Sequence, residues 1–154
     1  MPLSDLISPD AVAGSLKVAN KKQALQELSE RAATMSGLPA REIFDALIQR
    51  ERLGSTGVGS GIAIPHGKLP KADRIFGIFA RLDKPVEWEA LDGFPVDLVF
   101  LLIAPESAGA DHLKALARIA RALRDAGLAA KLRATRDDAA LYAMLADTPT
   151  TNAA

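Results

Sequence analysis

Nine consecutive residues, Val96 to Ala104 (V-D-L-V-F-L-L-I-A), carry a single polar side chain, Asp97. Successive side chains of a strand point to opposite faces, so a strand here needs apolar cover on both. The run is far too short to cross a bilayer as a helix, which takes about 20 apolar residues. It predicts a central strand between two layers. Weaker strand patterns lie at Gly14 to Ala19, Ile62 to Ile64 and Ile75 to Leu82, with a turn and a short extended piece at Pro85 to Trp88 and a turn signal at Asp92-Gly93.

Helical patterns alternate with these strands. Asn20 offers an N-cap with Gln23 at the capping-box position, Leu25, Leu28, Ala32 and Met35 follow at helical spacing, and Ser36-Gly37 ends the segment. Pro39 suits the first turn of a second helix, whose apolar face is Ile43, Phe44, Leu47 and Ile48, with Gly54 as its C′ residue. Asp111 to Ala126 reads as an amphipathic helix with Asp111 as N-cap. Leu113, Leu116, Ala120 and Leu123 are expected inward, and Lys114, Arg118, Arg121 and Arg124 outward as a solvated face. A helical turn at Ala129 to Arg133 precedes a last helix through Ala146, capped by Thr135 with Asp138. Strands interleaved with helices predict a three-layer α/β sandwich. One domain is expected over 1–148, with 149–154 as a flexible tail, and Trp88 and Tyr142 as packing residues.

The chemistry concentrates between Arg50 and Lys68: R-E-R-L-G-S-T-G-V-G-S-G-I-A-I-P-H-G-K. Five glycines precede or flank His66, one of only two histidines. Glycine clusters let backbone approach a ligand closely, so the segment reads as a loop presenting an imidazole to an anion. The familiar glycine motifs do not fit. A Walker A loop needs Gly at Ile62 and Ser or Thr at Leu69. A dinucleotide fingerprint needs a third Gly at Ile62 or Ile64, and no serine here stands between glycines two before and two after it. The chain has no cysteine, which excludes a thiol nucleophile and leaves only two histidines for a metal. Nineteen basic and nineteen acidic residues cancel, so nothing global favours nucleic acid, and no segment suggests membrane insertion or a leader; a cytoplasmic protein is expected.

His66 remains as a nucleophile. Neutral imidazole is available near pH 7 and can take a phosphoryl group on nitrogen. Such a group needs donors and cations around it. Backbone NH groups of Gly57 to Gly61, including Gly57 and Gly59, are placed to form an anion nest, with the hydroxyls of Ser55, Thr56 and Ser60 beside them. Arg50 lies on the inward helix face, and its fork matches phosphate oxygens. Pro65 fixes φ just before the histidine. His112 follows the central strand by a short loop, where ligands collect in open α/β sheets. It either bonds the phosphoryl group, steadies His66, or is a plain first-turn residue; spacing leaves these open, as it leaves open a His66 that is only a hydrogen-bonding residue.

This stretch resembles the signature of the type-2 enzyme IIA family of the bacterial phosphoenolpyruvate-dependent phosphotransferase system, in its nitrogen-regulatory branch. The resemblance also covers K-K-Q-A-L at Lys21 to Leu25, F-D-A-L-I-Q-R-E at Phe44 to Glu51, P-V-D-L-V-F-L-L at Pro95 to Leu102, and D-H-L-K-A-L-A from Asp111. It implies an α/β/α sandwich with a mixed central sheet. It implies that His66 accepts a phosphoryl group from an HPr-like phosphocarrier, that Arg50 and His112 flank it, and that neither cofactor nor metal is used. The implied output is regulation of nitrogen metabolism or ion transport through phosphorylation-dependent contacts, with potassium-transport or sensor proteins among the candidate targets. Two alternatives accompany it: a sugar-specific IIA component that passes phosphate to a permease, and a binding module that works without phosphorylation. Ser60 departs from the family's more usual Asn, keeping a donor on a shorter arm.

Overall fold

The structure is a computed structural model in which residues 3–147 are described; the expected tail, 149–154, lies outside them. The central expectation holds. Strand β6 (Val96–Pro105) has a buried run from Leu98 to Ala104 and is flanked on both sides by other strands. The six-stranded sheet runs β1 (Val12–Leu16), β5 (Phe76–Val86), β6, β3 (Ile62–Ala63), β2 (Gly57–Gly59), with β4 (His66–Leu69) also paired to β6. The sheet is mixed: β1 lies parallel to β5, β5 antiparallel to β6, β3 and β4 parallel to β6, and β2 antiparallel to β3.

Helices α1 (Lys21–Ser36) and α2 (Ala40–Arg52) pack on each other, α2 on β4 and α1 on β5. Helix α3 (Ala110–Arg124) packs on β6, α4 (Ala126–Arg133) on α3, and α5 (Asp138–Ala146) on β1, completing the α/β/α sandwich. The first helix forms for the reasons its sequence suggests. The Asn20 side chain accepts from the Gln23 N–H at 2.8 Å, and Gly37 closes the helix at φ 79°.

Several expectations shift. The first strand is Val12–Leu16, earlier than the Gly14 to Ala19 pattern, because Pro9–Ala11 forms a short 3-10 helix that delivers the chain directly into it. Strand β5 continues through Pro85 to Val86, where a turn was expected. The long helix stops at Arg124; Asp125 accepts from Gly127 and Leu128 N–H groups and starts α4 two residues before the glycine expected to end α3. Asp137, not Thr135, caps α5 through the Ala140 N–H, while the Thr135 hydroxyl donates back to the Lys131 carbonyl. Gly109 starts α3, so Asp111 is a first-turn residue without a capping bond.

Two differences position the candidate residues. His66 lies on a strand, not in a loop: it opens β4, opposite Leu102 of β6. Strands β3 and β4 share one register along β6, since 98 − 62 and 102 − 66 both equal 36. Pro65 interrupts them because it has no N–H to give β6, although its carbonyl still accepts from the Leu102 N–H at 2.9 Å. On the other side, the Ile64 N–H donates to the Thr56 carbonyl at 3.0 Å; beyond it β4 pairs only with β6 and is an edge strand.

Candidate functional site

Helix α2 carries Arg50 to its C-terminal turn, and the packing of α2 on β4 brings that turn over His66. Gly67 permits this approach. A Cβ at that position would stand 3.2 Å from the Ala46 Cβ, closer than side chains normally pack. The glycine beside the histidine therefore serves helix-to-strand clearance.

The half-buried imidazole has both nitrogens engaged. Nδ1 lies 2.8 Å from the Ile64 carbonyl oxygen, and Nε2 lies 3.1 Å from Arg50 Nε. A carbonyl oxygen only accepts and a guanidinium only donates. The pattern assigns the proton to Nδ1 and leaves the lone pair on Nε2. Arg50 also donates through Nη1 to the Gly54 carbonyl at 2.9 Å. Its Nη2 has no acceptor among the described residues and faces no competing bond.

His112 completes the group. Its ring centroid is 5.4 Å from that of His66, tilted by 54°. The side chain is buried, with 7% exposure, and its Nε2 has no hydrogen-bond partner among the described residues. A buried polar atom without a partner costs free energy, so its presence beside His66 marks a position open to another group. Here helix α3 is rotated from its expected orientation. His112, Ala115, Ile119, Ala122 and Leu123 face the core, Leu113 is 66% exposed, and Leu116 and Ala120 are only half-buried. Of the expected basic face, Arg118 is tied down, with both Nη groups on Asp5 at 2.6 and 3.0 Å.

Burial holds the His66 pKa below its ordinary value by disfavouring the imidazolium, and Arg50 adds to this; the Ile64 carbonyl and Glu51 oppose it. Burial also lowers His112, with His66 and Lys68 as further causes. Both rings are thus biased toward the neutral form.

The glycine stretch does not close round His66 as a single nest. Strands β2 and β3 form a hairpin whose turn residues, Ser60 and Gly61, have φ of 58° and 78°, as a two-residue type I′ turn requires. The turn lies level with Leu98, four residues from the level of His66, or about 13 Å along a strand. Gly59 and Ser60 are therefore held away from the imidazole. The Ser60 N–H donates to Asp92 at 2.8 Å, and its carbonyl accepts from Arg133 at 2.5 Å. Ser55 and Thr56 lie nearer, but their hydroxyls are engaged: Ser55 donates to the Trp88 carbonyl at 2.5 Å, and Thr56 donates to Glu51. The Gly57 N–H donates to Ser55 Oγ at 3.0 Å. Arg50, His66 and His112 come together; the hydroxyls of Ser55 and Thr56 and the N–H groups of Gly57 and Ser60 are engaged within the fold.

Glu51 and the Ile64 carbonyl lie against this group and were not singled out from sequence; Trp88, expected as a packing residue, is fully buried. Glu51 had a signal: it lies seven residues past Phe44 and three past Ile48, on the inward stripe of α2. Among the described residues, no group of three or more His, Asp or Glu side chains could hold a metal, and no helix is long and apolar enough to cross a membrane.

Comparison with known proteins gives a consistent result. Residues 5–148 match the family described as phosphoenolpyruvate-dependent sugar phosphotransferase system, EIIA 2. A nitrogen regulatory protein of Bradyrhizobium diazoefficiens is 62% identical over 153 residues, covering 99% of this chain and all of the relative. The nitrogen regulatory protein of Escherichia coli K12 is 39% identical over 149 residues, 96% of this chain and 91% of that protein. The crystal structure of nitrogen regulatory protein IIA-Ntr from Neisseria meningitidis superposes with a TM-score of 0.88 at 31% identity, over 93% of this chain and 98% of that one.

Proposed function

This chain belongs to the EIIA 2 family of the phosphoenolpyruvate-dependent phosphotransferase system, and from that premise we propose that it is a phosphoryl acceptor with a regulatory output, His66 being the acceptor. The observation that carries this reading is the pair of bonds on the imidazole. Nδ1–H is held by the Ile64 carbonyl, so the lone pair is on Nε2, beside Arg50.

The donor is a phosphohistidine on an HPr-like carrier. The Nε2 lone pair attacks phosphorus, and the N–P bond of the carrier breaks with its electron pair returning to the carrier imidazole. The product has the phosphoryl group on Nε2 and the proton still on Nδ1, so the ring carries positive charge that the Ile64 carbonyl stabilises. The Arg50 guanidinium pivots from Nε2 to the phosphoryl oxygens while keeping Gly54 as anchor. His112 Nε2, as an N–H donor, supplies a second contact from α3. Leu53, 84% exposed just beyond α2, and Leu113, 66% exposed beside His112, offer apolar contact surface next to the reacting groups.

Phosphorylation changes the local charge by about −1.5 to −2, if ordinary phosphate values hold for phosphohistidine, and so changes which proteins dock. The name nitrogen regulatory protein borne by relatives of similar length supports a regulatory output; the targets in this reading are proteins of nitrogen metabolism or ion transport. The test is incubation with phosphoenolpyruvate, enzyme I and the HPr-like carrier. An acid-labile phosphate forms on the parent protein and not on His66→Ala; a label that persists in His66→Ala refutes the assignment.

A further inference from the structure

Behind the imidazole lies a buried polar cluster that the acceptor chemistry does not use directly. The Glu51 carboxylate exposes only 6% of its side chain and pairs with Lys21 Nζ at 2.9 Å. It also accepts the Thr56 N–H at 3.1 Å and the Thr56 hydroxyl proton. The Thr56 hydroxyl in turn accepts from the indole N–H of Trp88 at 3.2 Å, and Trp88 is fully buried. Every polar atom of Thr56 is thus committed, because its carbonyl takes the Ile64 N–H at 3.0 Å. The carbonyl of that same Ile64 holds His66 Nδ1 at 2.8 Å.

We propose that Glu51 is a positioning residue for the His66 acceptor: by clasping Thr56 it fixes the Ile64 backbone, and so the tautomer that leaves the Nε2 lone pair facing the phosphoryl donor. This rests on the acceptor reading above and adds the residue that keeps the acceptor competent. Two links make the chain of contacts short. Glu51 follows Arg50 on α2, so one helix turn supplies both the cation at Nε2 and the carboxylate that secures the Nδ1 side. Thr56, just before β2, takes the Ile64 N–H, so its anchor fixes the side of the Ile64 peptide that faces away from β6, while β6 pairs with Ala63 and Pro65 on either side. Lys21 balances the carboxylate from α1, which lets the charge remain buried. The charged and titratable groups around His66 are Arg50 and Glu51 from α2, Lys68 from β4 and His112 from α3.

The deciding measurement is nitrogen-detected imidazole NMR on the full chain, in the unphosphorylated state, for the parent, Glu51→Gln, Thr56→Val and Thr56→Ser, alongside the rate of phosphoryl transfer from the HPr-like carrier. The parent shows one His66 tautomer, with Nδ1 protonated. Glu51→Gln and Thr56→Val show mixed tautomers and lose about tenfold to a hundredfold in kcat/KM, as small misplacements of a reacting group do. Thr56→Ser, which restores the hydroxyl, recovers the single tautomer. If the variants melt earlier yet keep the parent tautomer and rate, the cluster only stabilises the fold and the proposal is wrong. If Glu51→Gln does not fold, the Thr56→Val and Thr56→Ser pair decides in the same way. If the parent accepts no phosphoryl group, the acceptor reading fails, whereas the NMR comparison still decides the positioning.

Discussion

Arg50 Nε donates to His66 Nε2 across 3.1 Å, so the cation occupies the lone pair that attacks in the proposed transfer. The same guanidinium reaches the Gly54 carbonyl through Nη1, which gives it an anchor about which to turn. The resting contact and the reactive one are two positions of one fork. Lysine has no second arm with which to keep the anchor. Arg50→Ala is expected to lower kcat/KM for phosphoryl transfer by roughly a hundredfold to a thousandfold. Arg50→Lys recovers only part of this, and both retain the parent melting temperature within a few degrees. Single-turnover rates with the phosphorylated carrier check it; a parent-like rate in Arg50→Ala would remove Arg50 from the mechanism.

The pH dependence has a definite sign. Burial lowers the pKa of both histidines below 6.5, so each stays neutral to lower pH than it does in the unfolded chain. Transfer to His66 is therefore expected to hold its rate through pH 6.5 and decline only below it. Stability follows the same sense: a histidine with a depressed folded pKa contributes fully above the unfolded value, and that contribution is lost as pH falls toward the folded one. Melting temperature should be flat above about pH 6.5 and fall below it. A rate inflection at or above 6.5 contradicts the account.

His112 separates stability from function. Its buried Nε2 without a partner is a cost to the resting protein. His112→Phe keeps the ring and removes that atom, and is expected to stabilise the free protein by about 1 kcal/mol. It should at the same time slow phosphoryl transfer by roughly tenfold or more, through loss of a donor to the phosphoryl oxygens. Denaturation and transfer assays on one preparation decide it; a destabilised variant with normal transfer would make His112 a packing residue.

The Ser60–Gly61 turn gives the opposite pairing. Ser60 has φ of 58°, a conformation that Asn tolerates better than Ser. Ser60→Asn is expected to raise stability by a few tenths to about 1 kcal/mol and to leave phosphoryl transfer unchanged, because the turn is held level with Leu98 rather than with His66. A transfer defect in this variant would return the turn to the site.

The sandwich was legible because β6 has no polar face and because the caps of α1 and the spacing of α2 and α3 are local properties. The meeting of Arg50 with His66 was legible in part, since histidine and an inward arginine are scarce; spacing left the role of His112 open, and its place beside His66 was expected from the family resemblance. What escaped is pairing. Whether Gly57 to Gly61 forms a nest or a hairpin depends on β6 accepting β3 and β4 in one register, which no local pattern encodes. The rotation of α3 was misjudged because Leu113 looks like core; Ala115 and Ile119 set the buried stripe instead and turn His112 inward. Ser55 and Thr56 looked like free donors because their acceptors, the Trp88 carbonyl and Glu51, belong to another segment and to a helix end.

Strand β4 is an edge strand, and the carbonyl of Ile64, a buried residue two before it, lies where the pairing with the hairpin segment ends. Exposed edge acceptors are templates on which a foreign strand can add. The His66 ring folds back over this one and occupies it. In the proposed role the His66 side chain is thereby also a cover for this acceptor, and the two duties are inseparable at the level of a single atom, Nδ1. Truncating the ring to alanine disarms the nucleophile and uncovers the edge together. Any gain of self-association in His66→Ala then belongs to the bared carbonyl rather than to the missing phosphate, and His66→Gln, whose amide can still reach that oxygen, is the cleaner inactive form.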